Sequence, residues 1–281
     1  MGGYKQIIPA FFFAFVAPAT AHDEDWQSWP TAQTLILSGG YFLPELDTTV
    51  VITDDNGNFG SSISFEDNLG LDDNKSTAML YAEWRFFKRH SLNLSHFKLA
   101  RDGGVRKVGV IIVGDRVVDL DLPVESFFNI DAIELRYSYS LIFNERMDLS
   151  IGVGISHQDL ELGLQATASS PIPGEIIESR LASAAPIPTL NFDFDYAFSD
   201  KWLFRSKLGW LAIETDLGGD DLLEGKILNA AVGIEWRAFR HVGVFANYQL
   251  IDVEADITDS GFRYDIEYNY AGPVIGISVN F

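Results

Sequence analysis

The stretch Ile275-Gly276-Ile277-Ser278-Val279-Asn280-Phe281 decides the fold of this chain. Its odd-numbered positions are large and apolar, and its even-numbered positions are glycine, serine and asparagine. Because successive side chains of a β-strand point to opposite faces, this period of two predicts a strand with one apolar face and one small, polar face. Such a strand separates two different environments, and segments of the same kind recur along the chain.

The amino-terminal residues have the features of a secretory signal peptide. Lys5 supplies a positive charge, an apolar run follows, and Ala19-Thr20-Ala21 forms an A-x-A cleavage site. We therefore expect residues 1–21 to be removed after export, since the apolar run is too short to cross a membrane as a helix. Residues 22–32 are predicted to be a short periplasmic lead-in, so that residues 33–281 form the folded domain.

The composition excludes several classes of function. The chain of 281 residues has 40 acidic against 20 basic residues, a formal net charge of −20. This balance argues against nucleic acid as a partner, because phosphate binding needs clustered Lys and Arg. There is no cysteine, so neither a disulfide framework nor a thiolate metal site is available.

Alternating segments predict an all-β protein, a closed antiparallel up-and-down transmembrane β-barrel with apolar side chains facing lipid. Ten strands are expected near 34–53, 76–87, 91–113, 117–143, 147–164, 187–198, 202–215, 225–239, 242–257 and 262–281. Eight or twelve strands remain alternatives, because a crossing needs only about 9–11 residues and the longer elements project or fold back. Short turns after aromatic residues mark the periplasmic end, and the segment 61–74 is predicted to be polar and irregular.

The same alternation predicts which charged side chains point into the barrel. These are five acids and five bases: Glu83, Arg85, Glu134, Arg136, Asp193, Asp195, Arg205, Lys207, Glu235 and Arg237. Asp193 and Asp195 are one hairpin away from Arg205 and Lys207, so we expect pairing between these strands. One interpretation is a charge network that fills the lumen. The other is a constricted, gated path whose charges select solutes.

No convincing catalytic site is found in the sequence. Ser95-His96 and Ser156-His157 place a hydroxyl next to an imidazole, but adjacent strand residues point to opposite faces and cannot act as nucleophile and base. No cofactor is predicted.

Metal binding is not predicted either. Residues 54–58 lack the register of a calcium loop and are interpreted as a turn. Asp72-Asp73 and the acids of residues 216–221 are predicted to be solvated in outer loops. As a hypothesis, these loop acids hold divalent cations that bridge to lipopolysaccharide phosphates.

The signal peptide, the repeated hairpins and the terminal Phe281 resemble the small bacterial outer-membrane β-barrel superfamily, which includes the barrel of outer membrane protein A. The segments 65–71 (FEDNLGL) and 185–188 (APIP) resemble uncharacterised proteobacterial members. The resemblance implies that Phe281 is an assembly signal read by the barrel assembly machinery. It also implies a location in the outer membrane of a Gram-negative bacterium, with contacts to outer-membrane lipids and lipopolysaccharide.

These observations predict a non-enzymatic integral barrel with a charge-balanced, largely filled lumen, structural or interacting through its extracellular loops. Two alternatives remain: a narrow channel for small solutes, and an outer-membrane lipid-modifying enzyme. The sequence does not set the oligomeric state.

Overall fold

The structure is a computed structural model. It describes residues 29–31, 33–54, 60–113, 116–167, 176–218, 221–259 and 262–281. The predicted signal peptide, with Ala19 and Ala21, and most of the predicted lead-in lie outside the described residues. Within the described part of the chain, no helix has the length and apolar character needed to cross a membrane.

The described chain consists of twelve strands and one short helix. They are β1 (Leu35–Phe42), β2 (Glu45–Asp54), β3 (Gly60–Ser64), α1 (Phe65–Leu69), β4 (Thr77–Phe87), β5 (His90–Val113), β6 (Arg116–Phe143), β7 (Met147–Thr167), β8 (Ile176–Ser199), β9 (Trp202–Gly218), β10 (Asp221–Trp236), β11 (Val242–Asp259) and β12 (Phe262–Asn280).

Ten of these strands close into a ring. Consecutive strands pair antiparallel from β4 to β12, β1 pairs with β4, and the ring closes where β1 pairs with β12. The predicted closed antiparallel barrel is therefore confirmed, with ten strands in the ring rather than eight or twelve. The two further strands, β2 and β3, extend the sheet outside the ring.

The single first strand predicted from the sequence is divided in the structure. β1 and β2 lie end to end along β12, on either side of Leu43-Pro44. Proline has no N–H to donate to a β-ladder, which explains the break. Gly272 of β12 lies opposite, where a Cβ atom would be 2.2 Å from the Leu43 carbonyl oxygen, so only glycine permits this close approach.

The two faces of the barrel wall have opposite chemistry. Outward-facing Leu135, Val153 and Phe192 are exposed, whereas inward-facing Ser138 and Asn191 are buried. A soluble domain shows the reverse, so this wall suits hydrocarbon outside and a polar interior. The exposed apolar side chains of the outer wall form a band that we call the apolar belt. Strand β6 has 28 residues, far more than a membrane crossing requires, so the wall projects beyond this belt.

The end of the barrel with the short turns carries the aromatic residues. Exposed Trp84, Trp202, Trp236 and Phe281 lie at this end, and rings of this kind form the interfacial girdle of a membrane barrel. In the described part of the lead-in, Trp29 packs on the ring of Phe143 with centroids 5.2 Å apart. The lead-in therefore contacts the barrel at the turn end.

Candidate functional site

The inward-facing side chains form two layers across the lumen, with a cavity between them. We call the layer nearer the turns the charge layer. It consists of the ten charged residues predicted from the sequence together with Asp148. The second layer lies nearer the opposite end of the barrel. It consists of helix α1 (Phe65–Leu69) and the following Leu71, and is called the plug.

Ion pairs of the charge layer cross the full width of the barrel. Glu83 of β4 lies 3.6 Å from Lys207 Nζ and 3.9 Å from Arg205 Nη1, both on β9. β4 and β9 are on opposite sides of the ten-strand ring. Because a ten-stranded barrel has a narrow interior, such a pair obstructs the lumen rather than lining it.

A second group of contacts is centred on Glu235. Its carboxylate lies 3.0 Å from Arg205 Nε and 3.7 Å from Arg237 Nε. Ser278 Oγ and Asn280 Nδ2 donate hydrogen bonds to it, at 2.7 and 3.1 Å. The small polar face of the carboxy-terminal strand therefore contributes directly to the charge layer.

The remaining predicted residues pair within their own side of the ring. Arg136 Nη1 lies 3.5 Å from Asp193, and Arg136 Nε lies 3.9 Å from Glu134. Of the two pairings expected between β8 and β9, Asp195 does contact Arg205, at 3.7 Å. Asp193 contacts Arg136 instead, because inward side chains in a narrow lumen reach more partners than those of their own hairpin.

The sequence reasoning missed Asp148, which is buried and hydrogen-bonded to Arg85. Arg85 also donates to Ser140 Oγ at 3.1 Å, and its guanidinium lies 4.6 Å from the ring centroid of Phe143. Alternation from outward-facing Leu149 would have placed Asp148 inside, so the signal was present in the sequence.

The plug occupies the segment that the sequence predicted to be irregular. Helix α1 begins after Ser64, whose hydroxyl accepts a hydrogen bond from the Asp67 N–H at 3.2 Å. It ends at Gly70, which has a φ of 68°, the left-handed conformation that glycine adopts without strain. A five-residue helix is too short to be stable alone, so its position depends on tertiary contacts.

Apolar side chains of the plug are buried in the barrel interior. Phe65 and Leu69 of α1, together with Leu71, belong to the cluster of buried residues. Phe65 packs edge-on against Phe128 of β6, with ring centroids 5.6 Å apart. The partners of the plug in this cluster include Leu99, Ile130, Tyr268 and Tyr270. The lumen is therefore filled at this level by apolar packing.

A fully buried arginine fixes the plug to the wall. Arg101 of β5 forms an ion pair with Glu66 of α1 and donates to Thr48 Oγ1 at 2.6 Å and to the Tyr270 hydroxyl at 3.2 Å. Glu66 also accepts a hydrogen bond from the Thr48 N–H at 2.9 Å. This pair was not predictable from the sequence, because nothing local shows that Glu66 enters the barrel.

Between the two layers lies a cavity of about 130 Å³. On the plug side it is lined by apolar residues such as Met79, Phe97 and Ile227, and on the other side by Arg136 and Asn247 among other polar groups. The cavity therefore has an apolar half and a polar half.

The serine–histidine pairs do not form a catalytic arrangement. Ser156 is buried whereas His157 is exposed and lies 3.2 Å from Asp159. His96 faces outward at the edge of the apolar wall, beside Leu80 and Ile133 in the strand register, and its Nε2 lies 2.9 Å from Asp131. This hydrogen bond lowers the pKa of the Asp131 carboxyl. Both imidazoles therefore contact acidic side chains on the outer surface.

The acidic loops give no metal centre within the described residues. Asp72 and Asp73 are exposed, and Asp72 lies 4.0 Å from Lys75 Nζ. Most of the predicted turn 54–58, and the side chains of residues 216–221, lie outside what the structure describes.

No protein-family model and no curated protein matches the chain. Among solved structures it is similar to the outer membrane protease OmpT from Escherichia coli, with 11% identity, 88% of this chain and 97% of that chain covered, and a TM-score of 0.50. Weaker similarities include the outer membrane protein OprG from Pseudomonas aeruginosa (12% identity, coverage 88% and 95%, TM-score 0.35) and the attachment invasion locus protein Ail of Yersinia pestis (9% identity, coverage 88% and 97%, TM-score 0.29). The similarity to OmpT confirms, for the fold, the predicted resemblance to outer-membrane β-barrels.

Proposed function

We propose that this chain is an integral β-barrel of the outer membrane of a Gram-negative bacterium, and that it works as a closed barrel rather than an open pore. Its role is structural, or it interacts through the strands and loops that project beyond the apolar belt. The observation that carries this proposal is the double closure of the lumen, by the charge layer and by the plug.

The membrane location is supported by the chemistry of the outer wall. Large apolar side chains such as Leu80, Ile155 and Ile277 are more than half exposed, at 56%, 58% and 57%. In water such a surface is an aggregation liability, whereas in a bilayer it is the favourable side. We propose outer-membrane lipids and lipopolysaccharide as the groups in contact with this wall, and the barrel assembly machinery as the reader of Phe281.

The closed lumen is supported by the cost of opening it. Opening the lumen would separate buried ion pairs such as Arg85–Asp148 and Arg101–Glu66, and water would have to replace their mutual contacts. The apolar contacts of Phe65 and Leu69 add to this cost. These ion pairs and apolar contacts together support the closed arrangement.

Planar-bilayer recording of the refolded mature barrel tests the proposal. We expect no steady single-channel steps from protein whose folding is verified by heat-modifiable migration on gels. A general porin reconstituted in the same bilayers provides the positive control. Steady, reproducible steps from the folded barrel would contradict the closed-lumen proposal.

A narrow, gated channel is the second candidate, and the cavity between the layers favours it. The plug belongs to a connecting segment rather than to a wall strand, so it is able to move without opening the ring. Conductance that appears only when the plug is released would support this candidate. No conductance with the plug seated and none with it released would support the closed barrel instead.

We infer no catalytic role. Ser95 and Ser156 face away from the neighbouring His96 and His157, as the alternation of strand residues requires. Incubation of the barrel with lipid A and phospholipid, followed by mass spectrometry, tests this inference. The appearance of deacylated or acylated products would overturn it.

A further inference from the structure

We propose that the cavity between the charge layer and the plug is a binding site for one small, neutral, hydroxyl-bearing organic molecule with an apolar ring or short chain. This site goes beyond the closed-barrel role, since a closed barrel needs no internal ligand. The proposal stands on the volume of the cavity, the chemistry of its two halves and one buried oxygen atom.

The volume sets the size of the ligand. The cavity measures about 130 Å³. An apolar protein cavity of about 150 Å³ holds one benzene molecule. A single six-membered ring or a chain of similar volume therefore fits, whereas a lipid, a sugar oligomer or a peptide does not.

Apolar side chains form the half of the cavity nearer the plug. Met79 and Ile251 are both buried, at 4% and 3% exposure, and Phe97 and Ile227 complete this surface. They are contributed by four different strands, so they enclose a ring or chain from several sides. This half favours hydrocarbon, because transfer of apolar area from water is favourable.

The polar half selects against an ionic ligand. Its charged residues, including Arg136 and Lys207, are paired with acids of the charge layer. An added anion or cation would have to break these pairs, and breaking one buried pair is costly. A neutral polar group does not carry this cost.

Asn247 supplies the position where a hydroxyl would bind. This residue of β11 lines the cavity, and its Oδ1 atom is buried without a hydrogen-bond partner among the described residues. Gly233 lies directly opposite on β10, where a Cβ atom would be 2.4 Å from the Asn247 Cβ. The missing side chain at Gly233 therefore leaves room for the amide, and a ligand hydroxyl can donate to its oxygen.

The two methionines outside the signal peptide provide a direct test. Met79 lines the cavity, whereas Met147 begins β7 at the turn end. In protein labelled with ¹³C at the methionine methyl groups, phenol should shift the Met79 signal saturably and leave Met147 unchanged. Linear, parallel shifts of both signals would indicate partition into the detergent only and would overturn the proposal.

Matched variants place the ligand inside the barrel. Ala231 lines the cavity and its neighbour Ala230 faces outward on the same strand. Ala231→Leu should abolish the saturable shift by filling the space, and Ala230→Leu should retain it. An unchanged phenol affinity in folded Ala231→Leu protein would contradict the proposed location.

The role of Asn247 is tested with two ligands of nearly equal shape, phenol and toluene. One hydrogen bond corresponds to about a threefold to tenfold difference in affinity, so Asn247→Leu should weaken phenol binding by that factor and leave toluene unaffected. This comparison decides the question even if Ala231→Leu fails to fold. Equal effects on both ligands, or none on either, would refute the assignment of a hydroxyl to Asn247.

Discussion

The ion pair between Glu66 and Arg101 offers a sharp test of plug closure. Arg101 is fully buried, and Glu66 accepts hydrogen bonds from both Arg101 and the Thr48 N–H. In Glu66→Gln the side chain loses its charge, and its amide has one oxygen for two donors. The guanidinium of Arg101 then remains buried without an anion.

The magnitude follows from the remaining contacts of Arg101. Removal of one partner from a buried ion pair costs about 3–5 kcal/mol. The hydroxyls of Thr48 and Tyr270 still accept hydrogen bonds from Arg101, so about 3 kcal/mol is the appropriate figure. Since 1.4 kcal/mol corresponds to a factor of ten, the ratio of released to seated plug should rise about a hundredfold.

Because the charge layer closes the lumen even when the plug is released, this ratio is measured by the labelling rate of a single introduced cysteine rather than by conductance. Ser126→Cys provides it, since Ser126 is buried and donates to the Leu69 carbonyl of the plug. The matched control is Asp67→Asn, which removes one negative charge from the same helical turn at an exposed position. In the Ser126→Cys background, we expect labelling about a hundred times faster in Glu66→Gln and at the wild-type rate in Asp67→Asn. The double variant Glu66→Gln with Arg101→Met should recover closure, because it also removes the unpaired charge.

Two results would refute the reasoning. A Glu66→Gln variant that is labelled no faster than Asp67→Asn would show that the pair does not hold the plug. A double variant that is labelled as fast as Glu66→Gln alone would show that the two residues are not coupled.

Three further outcomes are expected. Arg85→Met should lower the free energy of unfolding by about 3–5 kcal/mol, because Asp148 stays buried without its partner. Urea titration in detergent measures this change, and an unchanged midpoint would contradict it. Phe281→Ala should reduce the folded fraction recovered in the outer membrane while leaving refolding from urea unchanged, since its side chain is exposed and its proposed role is in assembly. The hydrogen bond from His96 lowers the pKa of the Asp131 carboxyl in the folded state. The stabilisation from the ionised carboxylate is therefore present above the unfolded pKa of about 3.9 and is lost as pH falls through the folded pKa. The difference in urea midpoint between wild type and Asp131→Asn should therefore shrink as pH falls below the unfolded pKa of about 3.9, and a difference that does not shrink would contradict this.

The barrel wall was predictable because it depends on one local rule. Alternation fixes the face of each strand residue, so the inward positions of Glu134 and Arg136 follow from outward-facing Leu135 alone. The strand limits at the short turns were also close, since these turns begin where alternation ends. At the other end they were less so: β8 begins at Ile176 rather than near residue 187. The break at Leu43-Pro44 required only the missing N–H of proline.

The plug was not predictable, because its structure depends on residues distant in the sequence. Helix α1 has a capping serine and a terminal glycine, but five residues give no helical periodicity. Its anchor, Arg101, is 35 residues from Glu66 in the chain. Likewise, Lys207 forms an ion pair with Glu83 across the lumen, although its partner in the hairpin register is Asp193. The ring brings together strands that are far apart in the sequence.

The seam between β12 and the first two strands links the formation of the barrel to the seating of the plug. α1 follows β3, β3 pairs with β2, and β2 is held by β12. The strand that closes the ring against β1 therefore also holds, through β2 and β3, the segment that leads into the plug. Protection of Phe65 from solvent would therefore report that the plug is seated, an observation separate from closure of the ring between β1 and β12.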